Sequence, residues 1–113
     1  MENKNNEKVL KILNTHVNDN TKIYNKLGLF YKTLGYDIRI KILVLLLNKT
    51  LTVSEIATEI AFESSAISHQ LKILKLNNFV SSEKKGKYVF YSLADNHIKD
   101  LIEIGLEHLL EKN

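Results

Sequence analysis

The amino-acid order predicts a mainly α-helical chain carrying one small β-hairpin. From Thr21 to Asn77, apolar residues recur at spacings of three and four, the period of a helix face. Two short β-prone runs then flank a basic segment containing glycine, Lys84-Lys85-Gly86-Lys87. The chain contains no proline and only four glycines, so its helices can run long.

The first twenty residues are polar and rich in Asn and Lys. Within them Val9, Leu10, Ile12 and Leu13 suit a helical turn or two, so residues 1–20 read as an arm or a short docking helix. Ile23, Leu27, Phe30, Tyr31 and Leu34 define a longer helix that Gly35 ends. A second helix runs from Tyr36 or Asp37 to Leu47, with Asp37 favouring its positive end. It is apolar on nearly every side, as a central core helix should be. Leu51 to Ile60 forms a short amphipathic helix, and Ala61-Phe62-Glu63 connects it to another. Ser64 or Ser65 can cap that next helix, which carries Ile67, Leu71 and Leu74 inward as far as Asn77. Phe79–Glu83 and Tyr88–Ser92 form the hairpin, and a last helix runs from about Asp95 to Glu111. The order is α-α-α-α-β-β-α, with residues 21–113 as one domain.

At 113 residues, 44% apolar and 26% charged, the chain has the makings of one ordinary core. No stretch approaches the roughly 20 apolar residues that span a bilayer. The first six residues lack the apolar segment of a secretory signal, so a cytoplasmic location without membrane attachment is expected. There is no cysteine, which excludes disulfides, thiol nucleophiles and thiolate-held metals. Of sixteen cationic residues only Arg39 is arginine, so phosphate attraction is plentiful and bidentate guanine reading scarce.

Two short helices across a tight turn, followed by a basic hairpin, outline a winged helix-turn-helix. Ala57 is small where the helices must approach. Ala61 stands where many such turns place glycine, and it fits if the backbone there avoids positive φ. The second helix would enter a DNA groove. Ser64, Ser65, Ser68, His69, Gln70 and Lys72 can address bases or phosphates from it, with Gln70 best suited to adenine. Lys84, Lys85 and Lys87 in the wing would lie along phosphates or in a minor groove.

The last helix carries Asp95 and His97 at its start and His108 and Glu111 near its end. His97 and His108 are eleven residues apart and share a face, but that separation is about 16 Å along the axis. A zinc ion needs each ligand atom about 2 Å away, so one helix cannot offer both pairs to one ion. Two antiparallel copies can, giving two equivalent sites per two-fold dimer. Ile98, Leu101, Ile102, Gly105 and Leu109 would form the seam. Two His with one Asp and one Glu suit tetrahedral zinc, and cobalt is chemically possible.

These pieces together resemble the ArsR/SmtB family of bacterial winged-helix metalloregulators over roughly residues 22 to 111. The matching residues are Leu34-Gly35 with Arg39 and Ile42-Leu43; Leu51 to Ala57; Ser68-His69-Gln70-Leu71-Lys72; and Gly86-Lys87 with Tyr91-Ser92-Leu93. Last comes Asp95-x-His97 followed, after ten residues, by His108-x-x-Glu111, which is similar to the C-terminal-helix zinc site of the SmtB-like members. The resemblance implies a metal-responsive transcriptional repressor: an apo homodimer bound to an inverted repeat in double-stranded operator DNA, released by Zn2+ at the dimer interface. It also sets His69 near the core beside the last helix, where its backbone can link the two sites.

The chain departs from members that sense metals through cysteines before the recognition helix, since Thr52 and Val53 stand in that neighbourhood. Another site type in the family pairs N-terminal ligands with the helix before the recognition helix; His16 and Glu55 are the candidates for it here, but without a thiolate no second metal site is expected. A regulator of the same fold answering a non-metal signal, or none, is the alternative. A metal-dependent hydrolase fits poorly, because all four candidate ligands would fill the ion's shell, so no enzyme is expected.

Overall fold

The computed structural model describes residues 4–15 and 20–111, with side chains for 6–14 and 22–111. Its elements are α1 (Lys4–Thr15), α2 (Asn20–Thr33), α3 (Asp37–Leu45), α4 (Val53–Ile60), α5 (Ser64–Leu76), β1 (Val80–Lys85), β2 (Tyr88–Leu93) and α6 (Asn96–Glu111). His16, one of the residues considered for a second metal site, lies outside the described residues. The chain divides into two compact units, Met1–Lys32 and Thr33–Asn113.

In the first unit, α1 is longer than the turn or two expected, and it exposes Val9, Leu10 and Ile12. The described part of α2 in this unit also leaves apolar side chains to solvent, among them Tyr24, Leu27, Leu29 and Tyr31.

The second unit holds the core. Ile42, Leu43 and Leu46 of the α3 region meet Ile56 and Ala57 of α4 in a buried layer. Ile67, Leu71 and Leu74 of α5, Phe79 and Val80 at the start of the hairpin, and Ile98 and Ile102 of α6 complete it. The helix period makes these positions coincide: residues 67, 71 and 74 lie within about 60° on one side of α5. Burying such side chains contributes about 1.5–3 kcal/mol each relative to exposure.

Local chemistry sets the boundaries. Thr52 and Glu55 form a reciprocal capping box at the start of α4. The Thr52 Oγ1 accepts from the Glu55 backbone N–H at 3.2 Å, and Glu55 Oε1 accepts from the Thr52 N–H at 2.9 Å. That moves the helix start from Leu51 to Val53. It also engages the Glu55 carboxylate. Leu51 instead pairs with β2: its N–H donates to the Tyr91 carbonyl at 3.0 Å and its carbonyl accepts from Tyr91 N–H at 2.7 Å.

At α5 the expected serine cap is absent. Glu63 occupies the cap position without a side-chain bond, and Ser64 and Ser65 fall in the first turn. The helix ends with Asn78 at φ +62°, while Phe79 N–H reaches back to the Leu74 carbonyl at 2.9 Å and Asn78 N–H to that of Lys75 at 3.1 Å. This is a Schellman ending with asparagine, which tolerates the left-handed region.

A similar left-handed ending closes α4, where Phe62 N–H donates to the Ala57 carbonyl at 3.0 Å. Here the left-handed residue is Ala61, at φ 63° and ψ 46°. The condition that alanine avoid positive φ is therefore not met. The turn keeps the glycine conformation without the glycine, because the buried faces of α4 and α5 fix how the chain must pass between them.

The hairpin is antiparallel, with Val80 opposite Leu93 and Lys85 opposite Tyr88. Gly86 and Lys87 alone form the loop, tighter than the four residues expected. Gly86 sits at φ +64°, and a glycine at the first central position is what a type II′ hairpin requires.

Ala61→Gly should relieve the Cβ penalty of the left-handed region. The expected gain is about 1 kcal/mol, read as a higher midpoint in urea at unchanged slope. A loss of stability would mean the Ala61 methyl contributes more than its backbone costs.

Candidate nucleic-acid and metal-binding surfaces

Burying Ile67, Leu71 and Leu74 turns the opposite side of α5 to solvent. Ser64, Ser65, Ser68, His69 and Lys72 are all exposed there. The His69 side chain therefore points away from the core. The first-turn N–H groups of α5 lack carbonyl partners within the helix, and its N-terminus carries the positive end of the helix dipole.

Gln70 differs from its neighbours. It is half-buried on the flank of α5, and its Oε1 accepts from Arg39 Nε at 2.9 Å. Nothing in the spacing of Gln70 signals this bond, because its partner is 31 residues away. Arg39 also donates through Nη1 to the Thr33 carbonyl at 3.1 Å and stacks on the Tyr36 ring.

In the wing Lys84, Lys85 and Lys87 are exposed. The Lys87 ammonium lies 5.4 Å from the Tyr88 ring centroid and that of Lys85 6.0 Å from Phe90. Lys75 of α5 donates to Ser82 of β1 at 2.6 Å, which ties the root of the wing to the helix before it.

Along α6, the apolar residues divide between two stripes. Ile98 and Ile102 are buried against their own chain, so they cannot serve in an outward seam as expected. At about 100° per residue, His97, Leu101, Ile104, His108 and Glu111 fall on a neighbouring stripe about 80° wide. Ile104 is 63% exposed within it. Beside this stripe an apolar groove of about 370 Å³ opens between Ile40 and Val44 of α3 and Leu101, Gly105 and Leu109 of α6. A Cβ built at Gly105 would meet nothing within 4 Å, so the chain's own packing does not demand glycine there.

Asp95 caps α6, its Oδ1 accepting from Ile98 N–H at 3.1 Å. The same oxygen is 3.7 Å from His97 Nδ1. Two ligand atoms on a tetrahedral zinc ion stand about 3.3 Å apart, so this pair spans two corners after a small adjustment. Both side chains are open to solvent. His108 and Glu111 are exposed at the far end of the helix. Among the described residues no three of His, Asp and Glu gather into one cluster within the chain. No helix among them is long and apolar enough to cross a membrane.

A helix-turn-helix with its second helix bared and a lysine-tipped hairpin beside it defines the winged-helix class of regulator. Comparison with known proteins gives the same answer. Residues 37–82 match the family model described as bacterial regulatory protein, arsR family. The chain is 34% identical over 84 residues to a transcriptional repressor SmtB homolog of Synechocystis, covering 74% of this chain but only 64% of that protein. It is 39% identical over 82 residues to a cadmium resistance transcriptional regulatory protein CadC homolog of Staphylococcus aureus, covering 72% and 68% of the two chains.

Among solved structures, the crystal structure of Rv0081 from Mycobacterium tuberculosis superposes with a TM-score of 0.73 at 31% identity, covering 79% of this chain and 90% of that one. The solution structure of a homodimeric winged helix-turn-helix domain of Mb0332 from Mycobacterium bovis gives 0.74 at 22% identity, covering 82% and 85%, a likeness of fold. The chain belongs to the arsR family of bacterial regulatory proteins.

The capping role of Asp95 can be separated from any ligand role. Without metal, Asp95→Ala should lower stability by about 1 kcal/mol, whereas Asp95→Asn keeps a capping oxygen and should change it little. Equal losses in thermal melts of the two variants would contradict the cap.

Proposed function

We propose that the protein is a homodimeric, metal-responsive transcriptional repressor. Its apo form binds double-stranded operator DNA through α5 and the wing, and Zn2+ at the dimer interface releases it. The observation that carries the metal half is the Asp95–His97 pair, open to solvent and spaced close to a tetrahedral edge. Residues 1–20 act as an arm to a DNA-binding and dimerisation domain of 21–113, working in the cytoplasm where the DNA lies.

Ser64, Ser65, Ser68, His69 and Lys72 present donors to bases and phosphates, with Gln70 at their flank. Lys84, Lys85 and Lys87 extend the contact along the backbone. Phosphate contacts of this kind set affinity and its salt dependence, while base contacts set sequence preference.

Asp95 and His97 of one protomer, with His108 and Glu111 of its partner, supply two nitrogen and two oxygen donors. That set suits zinc, with cobalt as a chemically acceptable substitute. The seam between antiparallel copies of α6 runs through Leu101, Ile104 and Gly105, in place of the inward Ile98 and Ile102. Gly105, unneeded within one chain, lets two helix backbones approach. The SmtB and CadC homologues are named as a repressor and a cadmium-resistance regulator, which supports the reading by kinship.

A bound ion would be held by Asp95 and His97 of one protomer with His108 and Glu111 of its partner, and would link the two terminal helices. Each α6 packs on its own core through Ile98 and Ile102, so fixing the pair fixes the angle between the two α5 helices. Half-sites on B-DNA are about 34 Å apart, and a small rotation misaligns one of them. The coupling can be no larger than the difference in zinc affinity between the two states, typically about 1–3 kcal/mol.

Fluorescence anisotropy of an operator duplex should show affinity falling about 5- to 150-fold when zinc is added. His108→Ala should bind the duplex as before and lose that response. An affinity indifferent to zinc would sink the metal half of the reading. Calorimetry without zinc uptake would favour a regulator of the same fold that answers another signal.

A further inference from the structure

A free glutamine amide offers one donor and one acceptor edge, the pair that matches adenine N6 and N7 in the major groove. Gln70 is not free. Arginine has donors only, so the Gln70 atom 2.9 Å from Arg39 Nε is the carbonyl oxygen, and the amide has one orientation. The guanidinium is held in turn by the Thr33 carbonyl and by the Tyr36 ring, 4.3 Å from its central carbon. Gln70 Nε2 has no hydrogen bond among the described residues. No buried side-chain nitrogen or oxygen there lacks a partner, so this NH2 group reaches solvent.

We propose that Arg39 is a specificity-setting positioning residue: by occupying Oε1 it makes Gln70 a donor-only group, addressed to the acceptor edge of guanine rather than to adenine. This rests on the DNA-binding reading above. Guanine presents O6 and N7, both acceptors, to the major groove. A phosphate is the weaker candidate, because it accepts from any nearby donor and gains nothing from a locked amide. Arg39 itself need not touch the duplex; it acts through the orientation of Gln70.

Selection of duplexes from a random-sequence pool tests this with the full chain. The native protein should enrich a guanine in each half-site whose replacement by 7-deazaguanine weakens binding, and Gln70→Ala should relax the preference at that base pair roughly tenfold. Arg39→Met frees Oε1 and should move the preference there towards adenine.

Because Arg39→Met also removes the links to Thr33 and Tyr36, Gln70→Glu provides a second arm. It keeps an oxygen for Arg39 and loses the NH2 donor. It should melt no lower than the native protein yet lose roughly tenfold in the ratio of specific to non-specific affinity. The added charge alone would lower both affinities together and leave the ratio unchanged. Enrichment of the same sequences by native and Arg39→Met proteins, or an unchanged ratio in Gln70→Glu, would overturn the proposal while DNA binding stands. If the native chain enriches no duplex, the DNA-binding reading fails and the proposal with it.

Discussion

Ile67, Leu71 and Leu74 can leave water only if the opposite side of α5 stays in it. The outward face of α5 follows from that one-sided burial. The inner stripe is seated against α3, α4 and the start of the hairpin, so α5 cannot roll about its axis without exposing all three side chains. Its polar residues are thereby held in a fixed direction by apolar chemistry they take no part in. The capping box at Thr52 and Glu55 and the left-handed endings at Ala61 and Asn78 then set where the helices start and stop.

Much of this was legible in the sequence, and the exceptions share a cause. The switch from helical period to β-prone runs located the hairpin, and the three-residue connection at Ala61 located the turn. Periodicity cannot say whose core an apolar stripe will enter, however. Ile98 and Ile102 have the same spacing as a dimer seam, yet they belong to the chain's own interior, which leaves Ile104 outward and Leu101 half-buried beside it. The Thr-x-x-Glu capping pattern was there to be read at Thr52. The left-handed Ala61 was not, because alanine carries no sign of a conformation imposed by its neighbours. The Arg39–Gln70 bond was equally hidden, since composition marks the lone arginine but not its partner.

The candidate metal residues show the same division. That His97 and His108 share a stripe, and that one helix cannot bring them to one ion, are consequences of helical rise. That Asp95 stands at the cap position is legible in the sequence; that its Oδ1 is the oxygen engaged, 3.7 Å from His97 Nδ1, is not, and it changes what the carboxylate can do. One oxygen is directed by Ile98 N–H, which orients the side chain before any ligand arrives. A cap of this kind limits the ordering entropy that a coordinating group would otherwise lose.

The bridge between Leu51 and Tyr91 has a consequence for how the wing can move. It joins the segment entering the helix-turn-helix to the strand leaving the wing tip, so it closes a loop around α4, α5 and β1. Fraying of the hairpin from its root would break that closure and open the helical layer with it. The base of the wing is thus bound into the cooperative unfolding of the core. Only the short tip around Gly86 remains free to adapt on the timescale of loop motion, a stiff lever with a compliant end.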